Sequence, residues 1–470
     1  MSDRKPNILF LMTDHQRADS IGMVQDGREV TPHLNRLADE GAFFSRTYNT
    51  CPLCVPTRTA LFTGQYPIRN GVVYNDWQGR RAGDHTILME PLAEAGYRLA
   101  HVGVDHIRVN PGYRERVPWD LLVDNSDYGA HLESEGLSDT PSEGIGAYKR
   151  EIHERHGDEI ETVNYSSTTV GRSPVSADKF KDIWWADRAA EFLREQHERP
   201  FALFTFLWAP HPPLIVPEPY ASMFDPEKLD LPPNVDVPAV GQPAGRRRGI
   251  AAQLAEGLTM DEWRRVWAAH LGLVRLADDA IGRILRALEE SGEAERTIVV
   301  FTVDHGDHLG QHRMYQKMEM YEPAIRMPLI VRQPGGRRGR FDRPVWHLDV
   351  MPTLLDLLGL PAPEICDGVS LRQTLESGKP PPERTLFSQY SGNPTVGDIR
   401  RAAVTERWKY VYTPGDRAEL YDLTNDPHET VNIAGAPAHA DVQQGLHEQC
   451  RAWGEEGGDW VDYGAGEPPP

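Results

Sequence analysis

Asn7-Ile8-Leu9-Phe10-Leu11-Met12-Thr13-Asp14 is an uncharged, largely apolar run that ends on a carboxylate. Two later stretches repeat the arrangement. Phe201-Ala202-Leu203-Phe204-Thr205-Phe206-Leu207-Trp208 leads into Ala209-Pro210-His211-Pro212, and Thr297-Ile298-Val299-Val300-Phe301-Thr302-Val303 leads into Asp304-His305. Each run is continuous rather than alternating, as expected of a strand buried on both faces of a parallel sheet. Helical patterns separate them. One opens at Thr31-Pro32, with Thr31 as N-cap and Pro32 in the first turn, and closes at Gly41; others fall at 87–95, 177–198, 261–291 and 350–358. Strands alternating with helices predict an α/β domain. Ligands of open α/β sheets bind at the carboxyl ends of the strands. Three strands therefore deliver Asp14, His211 and Asp304-His305 to one edge, the pattern of an enzyme site.

Away from these strands, residues 214–248 are rich in Pro and Gly and close on Arg246-Arg247-Arg248. They predict a long surface excursion, serving as a lid or an oligomer contact. Residues 110–175 read as polar and irregular and are expected to shape the pocket mouth. Past residue 361 the character changes. Short alternating runs at 401–405, 408–413 and 419–423 predict a small antiparallel sheet, followed by a helix at 440–453. The division expected is a catalytic α/β domain over 1–360 and a smaller C-terminal subdomain over 361–470. The tail 464–470 is expected to be disordered.

Composition narrows the function. The 470 residues are 39% hydrophobic and 26% charged, ordinary for a globular protein with a large core. A formal net charge of -20 argues against nucleic acid as a partner, since phosphate backbones need clustered Lys and Arg. A small anionic substrate needs only a local positive cluster and stays open. No run approaches the roughly 20 apolar residues of a membrane span, and no secretory leader pattern is present. A cytoplasmic location without membrane attachment is the expectation. The oligomeric state is open, a homo-oligomer included. Four cysteines, Cys51, Cys54, Cys366 and Cys450, are too few for a disulfide scaffold.

One of those cysteines lies in Cys54-Val55-Pro56-Thr57-Arg58-Thr59-Ala60-Leu61-Phe62-Thr63-Gly64. Pro56 suits the first turn of a helix and Gly64 its C-terminal stop. Cys54 is then expected just ahead of a helix N-terminus, where orphan N–H groups favour negative charge. Arg58, four residues on, shares its face. Cys51-Pro52-Leu53-Cys54 is also a C-x-x-C, but a zinc site would want a second pair and a redox pair a thioredoxin-like context. A buried, inert thiol is the remaining structural alternative.

The Cys-x-Pro-x-Arg segment with its following Gly resembles the signature of the sulfatases, formylglycine-dependent members of the alkaline phosphatase superfamily. The similarity continues along the chain. Pro6–Asp14 resembles the family's first strand, and Thr31-Pro32-His33-Leu34-Asn35-Arg36-Leu37-Ala38 an early helix. Asp304-His305-Gly306-Asp307 is similar to the family's second metal-binding turn. Arg407-Trp408-Lys409-Tyr410 and Glu419-Leu420-Tyr421-Asp422 resemble its C-terminal sheet. The resemblance points to choline-sulfatase-like and phosphonate-monoester-hydrolase-like members. It implies an alkaline-phosphatase-like mixed sheet flanked by helices, with a smaller C-terminal antiparallel sheet.

The resemblance also implies a chemistry. Cys54 would be oxidised to formylglycine by a maturation enzyme, and a hydroxyl of its hydrate would attack the ester. One divalent metal would be held by Asp14, His15, residue 54, Asp304 and His305. Calcium is the family default, while imidazole ligands shift the preference towards manganese or zinc. Arg58, His106, His211 and Lys317 would be catalytic, and Asn75 would bind a substrate oxygen. Many sulfatases carry Gly-Lys-x-His, where this chain has Gly103-Val104-Asp105-His106, so a lysine is replaced by Val104. Phosphonate monoester hydrolases lack it too. The expected reaction is hydrolysis of a small organic sulfate ester, with a phosphonate monoester or phosphodiester as the alternative.

Overall fold

The computed structural model describes residues 5–75, 83 and 85–464. Its main sheet has nine strands. In spatial order they are Gly339–Phe341, Ala42–Tyr48, Arg326–Arg332, Thr297–Val303, Asn7–Thr13, Phe201–Phe206, Arg98–Gly103 and Leu121–Val123, with Val345–Trp346 also paired to Ala42–Tyr48. Only Arg326–Arg332 runs against its neighbours, so the sheet is mixed. The three apolar runs form the centre. Along Asn7–Thr13, Leu9 and Leu11 enter the core on one face, while Ile8, Phe10 and Met12 enter the core on the other. Burial on both faces is why the sequence shows no alternation there.

Helices Lys181–Arg194 and Met260–Glu290 cover the first face, and Cys54–Thr63 and Val350–Leu357 the second. The register aligns the carboxyl ends: Thr13 pairs with Val303, and Phe206 with both Met12 and Gly103. A separate four-stranded antiparallel sheet, Leu386–Tyr390, Arg400–Val404, Trp408–Tyr412 and Glu419–Asp422, carries helix Ala440–Gly457. Among the described residues no helix is long and apolar enough to cross a membrane. Most of the tail from 464 lies outside the described residues.

Several expectations are corrected. Thr31 does not cap helix Pro32–Glu40 with its side chain; its hydroxyl donates to the Ser20 carbonyl at 2.9 Å. The caps come from Asp278 on helix Met260–Glu290, whose carboxylate accepts the His33 and Leu34 N–H groups at 3.0 and 2.8 Å. Residues 110–175 are not irregular: Lys149–His156 and Glu159–Ser166 form a hairpin. In its first strand only Ile152 and Glu154 are buried, so no apolar alternation announces it. Nor is 214–248 wholly superficial. Leu214–Val216 is a buried strand, and Arg246 is a buried cation paired with Glu419 and Glu319, tying this excursion to the C-terminal sheet.

Candidate active site

The strand ends converge on position 54. Cys54 is the first residue of helix Cys54–Thr63, one place later in the helix than the sequence suggests, with Leu53 extended as N-cap. Gly64 ends the helix in the left-handed region at φ 68°, its N–H bonded to the Ala60 carbonyl. Lys317 Nζ donates to Cys54 Sγ at 2.7 Å, His305 Nε2 lies 3.1 Å from the same sulfur, and Asp14 Oδ1 lies at 3.9 Å. Arg58, fully buried, joins the two carboxylates: Nη2 meets Asp14 at 2.8 Å and Asp304 at 2.9 Å, and Nε donates to Asp304 at 3.0 Å. Its Nη1 donates to the Val104 carbonyl at 3.3 Å, so the Val104 backbone orients the guanidinium.

Burial and charge set the protonation states. Burial, with the Asp304 charge, pushes Asp14 up to about 7. Burial would raise Asp304 as well, but His305, Arg58 and Lys317 hold it below the usual carboxylate range. Burial lowers His305 to about 3 and takes His15 and His211 well below the ordinary imidazole value, so all three rings are neutral at pH 7. Lys317 stays charged against its burial because Cys54, Asp14 and Asp304 surround it. Burial pushes the Cys54 thiol up to about 12.

Donor atoms of Asp14, Cys54, Asp304 and His305 lie within 4.8 Å of one another. The His305 ring directs a lone pair there. Its Nδ1 donates to the Gly306 carbonyl at 3.1 Å, which makes Nε2 the acceptor, here of Lys317 Nζ at 3.0 Å. Two carboxylates and an oriented imidazole, all buried, fit a divalent cation. His15 belongs to a second grouping with Asp14 and His211. It is held in the left-handed region at φ 64°, its Nδ1 donates to Asp307 at 2.9 Å, and its Nε2 accepts from Lys317 at 3.0 Å.

The remaining candidates take distinct positions. Asn75 Oδ1 accepts the Val55 N–H at 3.1 Å, capping the helix that carries Cys54. The His211 ring centroid lies edge-on 4.5 Å from that of His15 and, tilted, 4.0 Å from that of Trp208, while His106 sits edge-on 6.2 Å from Trp208. Asp105 is paired with Arg114 at 3.6 Å and Arg108 at 4.0 Å. Two residues are not singled out by sequence. Asp307 anchors His15 and also accepts the N–H groups of Leu309 and Gln316, bracing the loop that presents Lys317. Asp182 accepts the Trp208 and Ala209 N–H groups at 2.6 and 3.0 Å, fixing the turn that presents His211. Asp307 falls within the quoted Asp304–Asp307 turn; Asp182, inside a helix, carries no such signal.

Residues 6–360 match the family model described as Sulfatase. The chain belongs to the sulfatase family. Residues 310–456 match a second model, N-sulphoglucosamine sulphohydrolase, C-terminal. This sulfatase-family chain is 30% identical to the multifunctional alkaline phosphatase superfamily protein PehA of Trinickia caryophylli, across 96% of this chain and 95% of that protein. It is 27% identical to a choline-sulfatase of Rhizobium meliloti, across 93% and 84% of the two chains. Among solved structures it matches a phosphonate monoester hydrolase of Silicibacter pomeroyi with a TM-score of 0.75 at 26% identity, covering 97% of this chain and 96% of that one.

Proposed function

We propose that this chain hydrolyses a small organic sulfate ester, using residue 54 as formylglycine. The observation that carries the reading is the convergence of Lys317, His305 and Asp14 on the Cys54 sulfur at a helix N-terminus. A thiol raised to about 12 is mostly protonated at neutral pH and a poor nucleophile, which supports a modified residue there. Conversion by a maturation enzyme would supply a hydrated aldehyde as the attacking group. A divalent cation held by Asp14, Asp304, His305 and residue 54 would supply positive charge for the attacking and substrate oxygens. The mixed carboxylate and imidazole set favours manganese or zinc over calcium.

The chain's own groups do the rest. Arg58 bonds both Asp14 and Asp304 and so positions the two carboxylates for the cation, and its charge helps keep Asp304 ionised. Lys317 holds a positive charge beside the substrate oxygens, and Asp307 keeps His15 aimed at Lys317. His211, neutral in the free protein, gains affinity for a proton when an anionic ester arrives and faces the departing oxygen, with His106 nearby. Asn75 fixes the helix start and so the place of residue 54.

A phosphonate monoester or phosphodiester is the second reading, and two observations favour it. Val104 replaces a lysine, and a phosphonate monoester hydrolase matches along nearly the whole chain. Sulfate and phosphonate monoesters both carry one negative charge, which suits a site with few cations. The test is a paired rate assay on metal-loaded protein with formylglycine verified by mass spectrometry. Its substrates are an aryl sulfate and an aryl phosphonate monoester, with Cys54→Ala as blank. Faster sulfate hydrolysis is the expected result; preference for the phosphonate installs the second reading, and turnover equal to the blank removes both.

A further inference from the structure

A cluster of partly exposed rings borders the reaction centre. Asp14, Cys54, Arg58, Asp304, His305 and Lys317 are buried, whereas His106, Trp208 and His211 are partly exposed. A cavity of about 320 Å³ opens beside these rings, and His211 is one of its lining residues. A ring nitrogen of His211 lies within 4.8 Å of donor atoms of Asp14 and His15, so cavity and reaction centre share this residue. The other walls include Trp208, Phe180, Ile215 and Leu273. The Trp208 indole lies 4.0 Å from the His211 ring, its plane tilted by 34°. A flat group leaving the centre past His211 meets the partly exposed Trp208 indole, in a cavity large enough for a small-molecule ligand.

One cation stands among these apolar walls. Lys181, the first residue of helix Lys181–Arg194, holds Nζ 5.4 Å over the Trp208 ring and 5.9 Å over Tyr128. Among the described residues it forms no ion pair. Asp182, beside it in sequence, spends one carboxylate oxygen on the Trp208 and Ala209 N–H groups. Asp139, itself half-buried, lines the same cavity without pairing with Lys181. The ammonium is therefore the charge seated against the aromatic wall, where partial desolvation strengthens its contacts.

Building on the ester-hydrolase reading above, we propose that this cavity holds the organic half of the ester. Its occupant is a planar aromatic group bearing a carboxylate, with Trp208 as the stacking face and Lys181 as the counter-ion. Lys181 and Trp208 then determine specificity, while the buried centre performs a reaction common to many esters.

The test compares full-length, metal-loaded protein carrying formylglycine with its Lys181→Met variant. Substrates are phenyl and meta-carboxyphenyl sulfate, and the same two aryl groups as phosphonate monoesters. The carboxylated-to-plain ratio of kcat/KM in the wild type is divided by that ratio in the variant, which cancels the intrinsic reactivity of the leaving groups. The expected quotient is about tenfold, for a charge-assisted contact in a partly desolvated site. A quotient within about twofold of unity, the scatter of independent sites, overturns the proposal. Calorimetry with inert probes reads the same preference without turnover. meta-Sulfobenzoate should bind more tightly than benzenesulfonate, and benzenesulfonate more tightly than methanesulfonate, with the first gap closing in the variant. Equal affinities of the three overturn the proposal. Probe preference without turnover of either ester class removes the ester-hydrolase reading and leaves the cavity assignment, whereas turnover without preference does the reverse.

Discussion

Replacing Arg58 by methionine removes the cation that lies between Asp14 and Asp304. Arg58 is fully buried and makes four polar contacts, two of them with Asp304, at 2.8 to 3.3 Å. Methionine fills similar space without charge, so Asp14 and Asp304 are left facing each other with Lys317 as their nearest cation, and the Val104 carbonyl loses its donor. Removing one partner of a buried ion pair costs about 3–5 kcal/mol. That cost should depend on pH. The folded-state pKa of Asp14, about 7, lies above its unfolded value of 3.8, so the folded chain takes up a proton between those values. Stability contributed at Asp14 therefore falls as pH rises through that window. Asp304, held below its usual value, contributes stability above the unfolded pKa that is lost as pH falls. Without Arg58 both carboxyls titrate higher, and at pH 5 Asp14 is protonated in either protein. The penalty should accordingly be largest at pH 7 and smaller at pH 5. The assay is urea unfolding of chelator-treated wild type and Arg58→Met at both pH values, followed by tryptophan fluorescence. Adding manganese at about a hundredfold over its Kd should return about 2.7 kcal/mol to any protein that still binds it. A loss under about 1 kcal/mol at pH 7, the scale of an exposed pair, or the same loss at both pH values, would refute this electrostatic account.

Two further perturbations separate the metal site from the scaffold. Asp304→Asn should lower metal retained after dialysis by at least about tenfold, read by elemental analysis, and unchanged occupancy would exclude Asp304 as a ligand. Asp278→Ala leaves the His33 and Leu34 N–H groups without their cap and should cost about 1–2 kcal/mol in urea unfolding; an unaffected midpoint would mean that Asp278 does not hold the start of that helix.

Much of the fold was legible because the strongest local signals coincide with its centre. The runs ending at Asp14, Trp208 and Asp304 are buried on both faces, and continuous apolar sequence has few other uses in a domain of this size. The strands Ala42–Tyr48 and Arg98–Gly103 gave weaker signals, since Arg46 and His101 interrupt them. The hairpin over 149–166 was illegible for a different reason: it is held by backbone pairing and a few polar contacts rather than by an apolar face.

Sequence alone determined the family, the Cys54 motif and the placing of Asp14, His211 and Asp304-His305 at the ends of buried strands, because apolar runs and the residues that end them are local properties of the chain. Tertiary structure alone decided which partners each group faces. Arg58 and Asp304 are 246 residues apart, and Lys317 and His15 are 302 apart, yet each pair is in hydrogen-bond contact. No local pattern encodes that Asp307 turns His15 towards Lys317, that Asp278 caps a helix from another helix, or that Lys181 lies over Trp208. Those contacts depend on how separate elements pack around the sheet. Burial then converts them into shifted protonation states, through a dielectric environment that exists only once the chain has folded.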